Sequence, residues 1–185
     1  MPTVTIVRRE TGGTDSFEQE FEFEKGFQGS VIDLLHELNG RETLTDAAGN
    51  PARRICFECS CETGSCGACA MLVNDKPVLA CEASVPEELR RAGGLRLAPL
   101  TAFPCVCDLQ VNRDILRDRA RDAGLWLTGE AREAEDGFFS ACLQCGLCAE
   151  ACEKYRSGSS THLAPMCPPT WSRRWTARTP PAGRV

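Results

Sequence analysis

No apolar run in this 185-residue chain exceeds a few residues; residues 68–73 form one of the longest, far short of the roughly 20 needed to cross a bilayer. A basic, apolar and small-residue succession of the kind that directs secretion is also missing, because residues 1–9 read as a strand ending in charge. Histidine is scarce: His36 and His162 are the whole supply, and each reads as a surface or packing residue. There is no G-x-G-x-x-G, phosphate loop, nucleophile elbow or paired-carboxylate arrangement, so no substrate chemistry is assignable to this chain alone and no residue is named as catalytic. Collagen, coiled-coil and low-complexity compositions are excluded as well. These absences predict a chain of the cytoplasm with no membrane span of its own.

Apolar residues make up 42% and charged residues 25%, enough to bury a core. The conspicuous quantity is 13 cysteines. Disulfides are rare in the cytoplasm, so a dense set of cysteines there points to metal binding or redox work. Net charge is -5, yet residues 156–185 hold five arginines and no acid, which leaves -10 on the rest. An acidic body argues against nucleic acid as a partner, since that binding leans on Lys and Arg neutralising phosphates.

The first hundred residues read as mixed β and α. Val4, Thr5, Ile6 and Val7 predict a strand, and residues 17–24, with Phe21 and Phe23 alternating with glutamates, predict a second joined to it through Gly12 and Gly13. Ser30 is placed to cap a helix carrying Val31, Ile32, Leu34, Leu35 and Leu38 on one stripe and ending at Gly40. Short strands follow at residues 71–73 and 78–80, joined through residues 74–77, and at residues 95–97. From Leu109 the character turns helical, at residues 114–123 and again at 138–153, with a boundary near Phe103 and Pro104.

The cysteines fall into two clusters. Cys61, Cys66 and Cys69 have the spacing C-x4-C-x2-C, with Cys81 following after eleven intervening residues. This is the plant-type [2Fe-2S] pattern. Gly64 and Gly67 permit the tight path on which three thiolates of one loop reach two irons. A structural zinc site also takes four cysteines, but usually as paired C-x2-4-C knuckles. The second cluster, Cys142, Cys145, Cys148 and Cys152, has the spacing C-x2-C-x2-C-x3-C, in which three thiolates hold one [4Fe-4S] cluster and the fourth serves another. Only Cys167 remains downstream, too few ligands for two cubanes. Cys56, Cys59, Cys105 and Cys107 are left as spare thiols.

A plant-type [2Fe-2S] unit followed by a helical C-x2-C-x2-C-x3-C unit resembles the iron-sulfur subunit of succinate dehydrogenase and fumarate reductase. The resemblance covers about residues 1–155 and includes residues 60–71, 79–81, 97–100 and 108–113. It implies an α+β chain: an N-terminal β-grasp [2Fe-2S] ferredoxin-like domain at 1–104, the start of an α-helical ferredoxin domain at 105–155, and an irregular basic tail at 156–185. It further implies [2Fe-2S] on Cys61, Cys66, Cys69 and Cys81, and [4Fe-4S] on Cys142, Cys145 and Cys148. Cys152 would be the first ligand of a third cluster, [3Fe-4S] or [4Fe-4S], for which the remaining ligands are missing. The implied partners are an FAD-containing flavoprotein subunit and a membrane-anchor cytochrome b-type subunit with its quinone, holding the chain peripherally on the inner face of the cytoplasmic membrane. The tail departs from the family pattern, and the expectation is a chain truncated or frame-shifted near its C-terminus. A free-standing ferredoxin-like carrier and the iron-sulfur subunit of a soluble fumarate or heterodisulfide-type reductase are the alternatives.

Overall fold

A computed structural model describes residues 1–122 and 143–156. Cys142, Cys167 and residues 157–185 lie outside the described residues.

Strands β1 (Thr3–Arg9) and β2 (Ser16–Glu22) form the expected antiparallel hairpin, with Val4 opposite Phe21 and Ile6 opposite Gln19. Alternation along β1 buries Val4, Ile6 and Arg8 on one face. Strand β3 (Ala70–Val73) pairs antiparallel with β4 (Lys76–Leu79), and β5 (Leu95–Ala98) lies between β1 and β3, parallel to the first and antiparallel to the second. The sheet order is β2-β1-β5-β3-β4. A parallel pair such as β1 and β5 requires a long crossover. Here the crossover contains helix α1 (Val31–Gly40), the cysteine-rich loop, the β3-β4 hairpin and helix α2 (Val85–Ala92).

Helix α1 forms where its caps and stripe predict. The Ser30 hydroxyl accepts from the Asp33 amide at 3.3 Å, and the Asp33 carboxylate accepts from the Ser30 amide at 2.8 Å. This reciprocal cap satisfies two amides that a helix start leaves without partners, a stabilisation of about 1 kcal/mol. Val31, Ile32, Leu34, Leu35 and Leu38 are all buried.

Two local readings change. Asn74 and Asp75 have φ of 48° and 61°, forming a two-residue turn with both central residues left-handed, so Lys76 and Pro77 belong to β4 rather than to the connection. Pro77 is tolerated because β4 is an edge strand and needs no donor on its open side. Helix α2 is an addition to the expected elements, although Ser84, a proline in the first turn, acids followed by arginines, and Gly93 at φ 72° are ordinary helix punctuation.

Past β5, a small hairpin of β6 (Cys105–Cys107) and β7 (Gln110–Val111) turns through Asp108. Asp108 is fully buried and tied to β1. One carboxylate oxygen accepts from Arg8 Nε at 3.0 Å, the Arg9 amide at 2.9 Å and Arg53 Nη2 at 2.7 Å. The other accepts from Arg53 Nη1 at 2.8 Å and the Cys56 amide at 2.9 Å. Burial pulls the Arg8 guanidinium below its ordinary value, and Asp108 opposes that shift. Cys105 and Cys107 therefore sit on an anchor that joins the hairpin to the first sheet.

Helix α3 (Asp114–Asp122) follows, and after the undescribed residues come α4 (Leu147–Ala151) and α5 (Glu153–Arg156). Helix was expected from residue 138, but residues 143–146 are irregular, with Gln144 and Gly146 at φ 52° and 87°. Among the described residues no helix is long and apolar enough to cross a membrane.

Candidate metal centre

Between Ile55 and Ala70 the chain forms no strand or helix. Its amides turn instead toward sulfur. Cys61 Sγ accepts from the amides of Ser65 at 3.2 Å and Thr63 at 3.4 Å, and Cys66 Sγ accepts from Ala68 at 3.4 Å. Cys81, just beyond β4, receives the Gly64 amide at 3.2 Å, and its Sγ lies 3.4 Å from Cys69 Sγ. All four predicted sulfurs thus belong to one amide-lined loop and the strand end beside it. These backbone donors find acceptors in the cysteine sulfurs.

The sulfurs are electrostatically unequal. The Thr63 amide, then its hydroxyl, Cys66 and the Ser65 amide, draw the Cys61 thiol down to about 6. Burial, then the neighbouring Cys69 thiol, pushes Cys81 up to about 11. Amides aimed at Cys61 favour its thiolate, whereas Cys81 ionises readily only when a cation compensates. The donor set therefore fits an iron-sulfur group: four thiols at the [2Fe-2S] spacing, with amides directed at sulfur.

The second cysteine cluster abuts this loop. Gly67 has φ 75°, and a Cβ placed there would lie 2.5 Å from Cys145 Cβ. Only glycine lets the two segments approach so closely. Arg113, at the start of α3, clamps the same junction: its guanidinium donates to the carbonyls of Cys145 at 3.0 Å, Ala68 at 3.2 Å and Ala70 at 3.3 Å, and to the Glu58 carboxylate at 2.7 Å. Buried Glu150 in α4 accepts from the Thr101 hydroxyl and the Ala102 amide, each at 2.7 Å, and Phe103 lies 6.2 Å from the Tyr155 ring. Of the second cluster, Cys145 lies at this junction, Cys148 and Cys152 follow it among the described residues, and Cys142 lies outside them.

Cys56, Cys105 and Cys107 gather around Asp108. Arg53 Nη1 contacts Cys107 Sγ at 3.4 Å, Cys105 donates to the Asp108 carbonyl at 3.3 Å, and burial with the Cys107 thiol raises Cys56 to about 11. The sequence assigns no role to Arg113, Glu58 or Glu150. Arg113 lies 43 to 55 positions from Ala70, Ala68 and Glu58, so no local pattern marks it.

A mixed sheet with a cysteine loop beside its β3-β4 hairpin and a fourth thiol at the strand end defines a [2Fe-2S] ferredoxin-like protein. The sequence model of a family described as a 2Fe-2S iron-sulfur cluster binding domain matches residues 3–118. The chain belongs to that family, and [2Fe-2S] is its cofactor. It is 29% identical over 167 residues to the succinate dehydrogenase iron-sulfur subunit of Bacillus subtilis (strain 168), covering 83% of this chain and 64% of that one. Against a fumarate reductase (CoM/CoB) subunit of Methanothermobacter marburgensis it is 35% identical over 107 residues, 53% of this chain and 20% of the relative. Against the fumarate reductase iron-sulfur subunit of Mycobacterium tuberculosis it is 29% identical over 153 residues, covering 75% and 61%. The chain spans less than two thirds of the length of these relatives. A chain of the Mycobacterium smegmatis Sdh1 complex in the apo form has the same fold, with TM-score 0.65 at 20% identity over 89% of this chain and 70% of that one.

Proposed function

We propose that this chain is an electron-transfer subunit of a succinate dehydrogenase or fumarate reductase, passing single electrons between an FAD flavoprotein and a quinone at a membrane anchor. Cys61, Cys66, Cys69 and Cys81 hold [2Fe-2S], and Cys142, Cys145 and Cys148 contribute to [4Fe-4S], with Cys152 facing a further cluster. The observation that carries this reading is the contact of Gly67 with Cys145, which brings the two thiol-bearing segments together. Such segments in contact suit electron passage from one cluster to the next; the clusters supply the redox chemistry, and the protein supplies spacing and tuning. Arg113 keeps that spacing by holding both backbones at once. The domain parse, with a first unit to about residue 104 and a second to 155, belongs to the same proposal, the β6-β7 hairpin serving as the fastening between them. Peripheral attachment to the membrane through partner subunits follows from it.

The similarity to the Bacillus subtilis protein runs over 167 residues, whereas that to the CoM/CoB-type reductase stops at 107. The longer match favours the succinate dehydrogenase reading over a soluble thiol-dependent reductase.

Reconstituting the chain with iron and sulfide tests the proposal. About six irons per chain, with separate paramagnetic signals for reduced [2Fe-2S] and [4Fe-4S], are expected. Two irons with only the [2Fe-2S] signal would reduce the chain to a simple carrier. Co-purification with a flavoprotein and a quinone-reactive membrane fraction tests the partners.

A further inference from the structure

Beside the four-thiol loop, His36, Cys59 and Glu62 bring an imidazole, a thiol and a carboxylate together. His36 projects from the exposed side of α1, and Cys59 and Glu62 flank Cys61 in the loop. His36 Nε2 lies 2.9 Å from Glu62 Oε1 and 3.6 Å from Cys59 Sγ, and all three donors fall within 4.8 Å of one another. A tetrahedral zinc ion with bonds of about 2.0 Å to nitrogen and about 2.3 Å to sulfur sets such donors roughly 3.5 Å apart. The nitrogen-sulfur separation already matches, and the nitrogen-oxygen pair has to open by only about 0.4 Å to reach its own tetrahedral separation.

The geometry is held from both sides. The His36 ring meets Phe57 edge-on, with centroids 5.3 Å apart and planes at 79°, which restrains the direction of Nε2. Glu62 occupies the left-handed region at φ 56° although it is not glycine, the kind of backbone strain that collects at ligand sites. The His36 and Glu62 side chains are 47% and 43% exposed, so an ion reaches them directly from solvent.

We propose that His36, Cys59 and Glu62 bind one Zn2+, through Nε2, a thiolate and a carboxylate, with water in the fourth position. A single thiolate combined with imidazole suits zinc, whereas magnesium and calcium prefer all-oxygen shells. Binding releases the Cys59 proton to solvent, and the two anionic ligands cancel the charge of the ion. This assignment rests on Cys61, and not Cys59, being the first cluster thiol of the loop.

The test uses the full chain loaded with iron and sulfide, freed of loose metal over a chelating resin, titrated with Zn2+ and desalted. Zinc, iron and sulfide are then counted in the same sample. A single retained zinc is expected, and zinc-edge X-ray absorption should give one sulfur neighbour at about 2.3 Å with nitrogen or oxygen at about 2.0 Å. His36→Ala and Cys59→Ser should each weaken zinc retention about tenfold or more, with iron and sulfide unchanged. Zinc without a sulfur neighbour, zinc held equally by both variants, or no zinc on the iron-loaded chain would overturn the proposal. Loss of iron from Cys59→Ser would overturn it too, by making Cys59 a cluster ligand. A Cys61→Ser chain keeps the two questions apart, since its iron should fall while its zinc stays.

Discussion

Replacing Gly67 with alanine probes the junction on which the electron-relay reading depends. The new Cβ would lie 2.5 Å from Cys145 Cβ and 3.2 Å from Leu143 Cβ, against an ordinary carbon-carbon contact of about 3.5 to 4.0 Å. Two costs add. Holding an L-residue at φ 75° costs roughly 1–2 kcal/mol, and overpacking a close contact costs about 1–3 kcal/mol. Gly93→Ala is the matched control, because Gly93 has φ 72° and nothing within 4 Å of the added methyl. It carries the backbone penalty alone, and the lost flexibility of the unfolded chain is common to both variants. The difference between them is therefore about 1–3 kcal/mol, which in urea, at a slope of about 2 kcal/mol/M, is a midpoint lower by about 1 M for Gly67→Ala. Far-UV circular dichroism of the iron-loaded chains measures it. Hydrogen exchange locates it: the amides of Glu150, Cys152 and Tyr155 should exchange faster in Gly67→Ala and not in Gly93→Ala. Equal midpoints and equal exchange would refute the reasoning, since Cys145 would then not rest on Gly67.

Asp108→Asn replaces an acceptor of five hydrogen bonds and leaves fully buried Arg8 without its counter-ion, so a loss of about 3–5 kcal/mol is expected in the same unfolding assay. Adding Arg8→Met should recover part of that loss. Arg113→Ala strips a charged donor from three carbonyls and from Glu58, at a cost of about 3 kcal/mol; Arg113→Lys should restore only part of it, because an ammonium cannot reproduce the planar fork. Limited proteolysis of the 143–156 segment gives a second readout. Ser30→Ala should cost about 1 kcal/mol at neutral pH. Bonds from the Ser30 hydroxyl and amide hold the Asp33 carboxyl below its ordinary value, so that stabilisation is complete above the ordinary carboxyl value and fades as pH falls through the lowered one. The penalty measured for Ser30→Ala should therefore shrink in acid.

Much of the five-stranded sheet and its first helix is legible from local order. The alternation in β1, the Ser30 cap and the stripe of α1 are short-range patterns, and they fold as they read. The C-x4-C-x2-C run and Cys81 stand out in the sequence as a candidate four-thiol set, because cluster geometry constrains both residue type and spacing. Helix α2 carries equally local signals in Ser84, its first-turn proline and Gly93, although its short apolar stripe hides them. The remainder depends on contacts between distant segments. Nothing near Asp108 signals that it neutralises Arg8, 100 positions away, and nothing near Arg113 signals its hold on Ala68 and Cys145. His36 reads as a surface histidine because its partners, Cys59 and Glu62, lie more than twenty positions on. The spacing of the cysteines thus determined by itself which cofactor this chain is built for. Only the tertiary structure decided that the two cysteine segments touch, since that contact depends on how distant backbones pack and not on any pattern within either one.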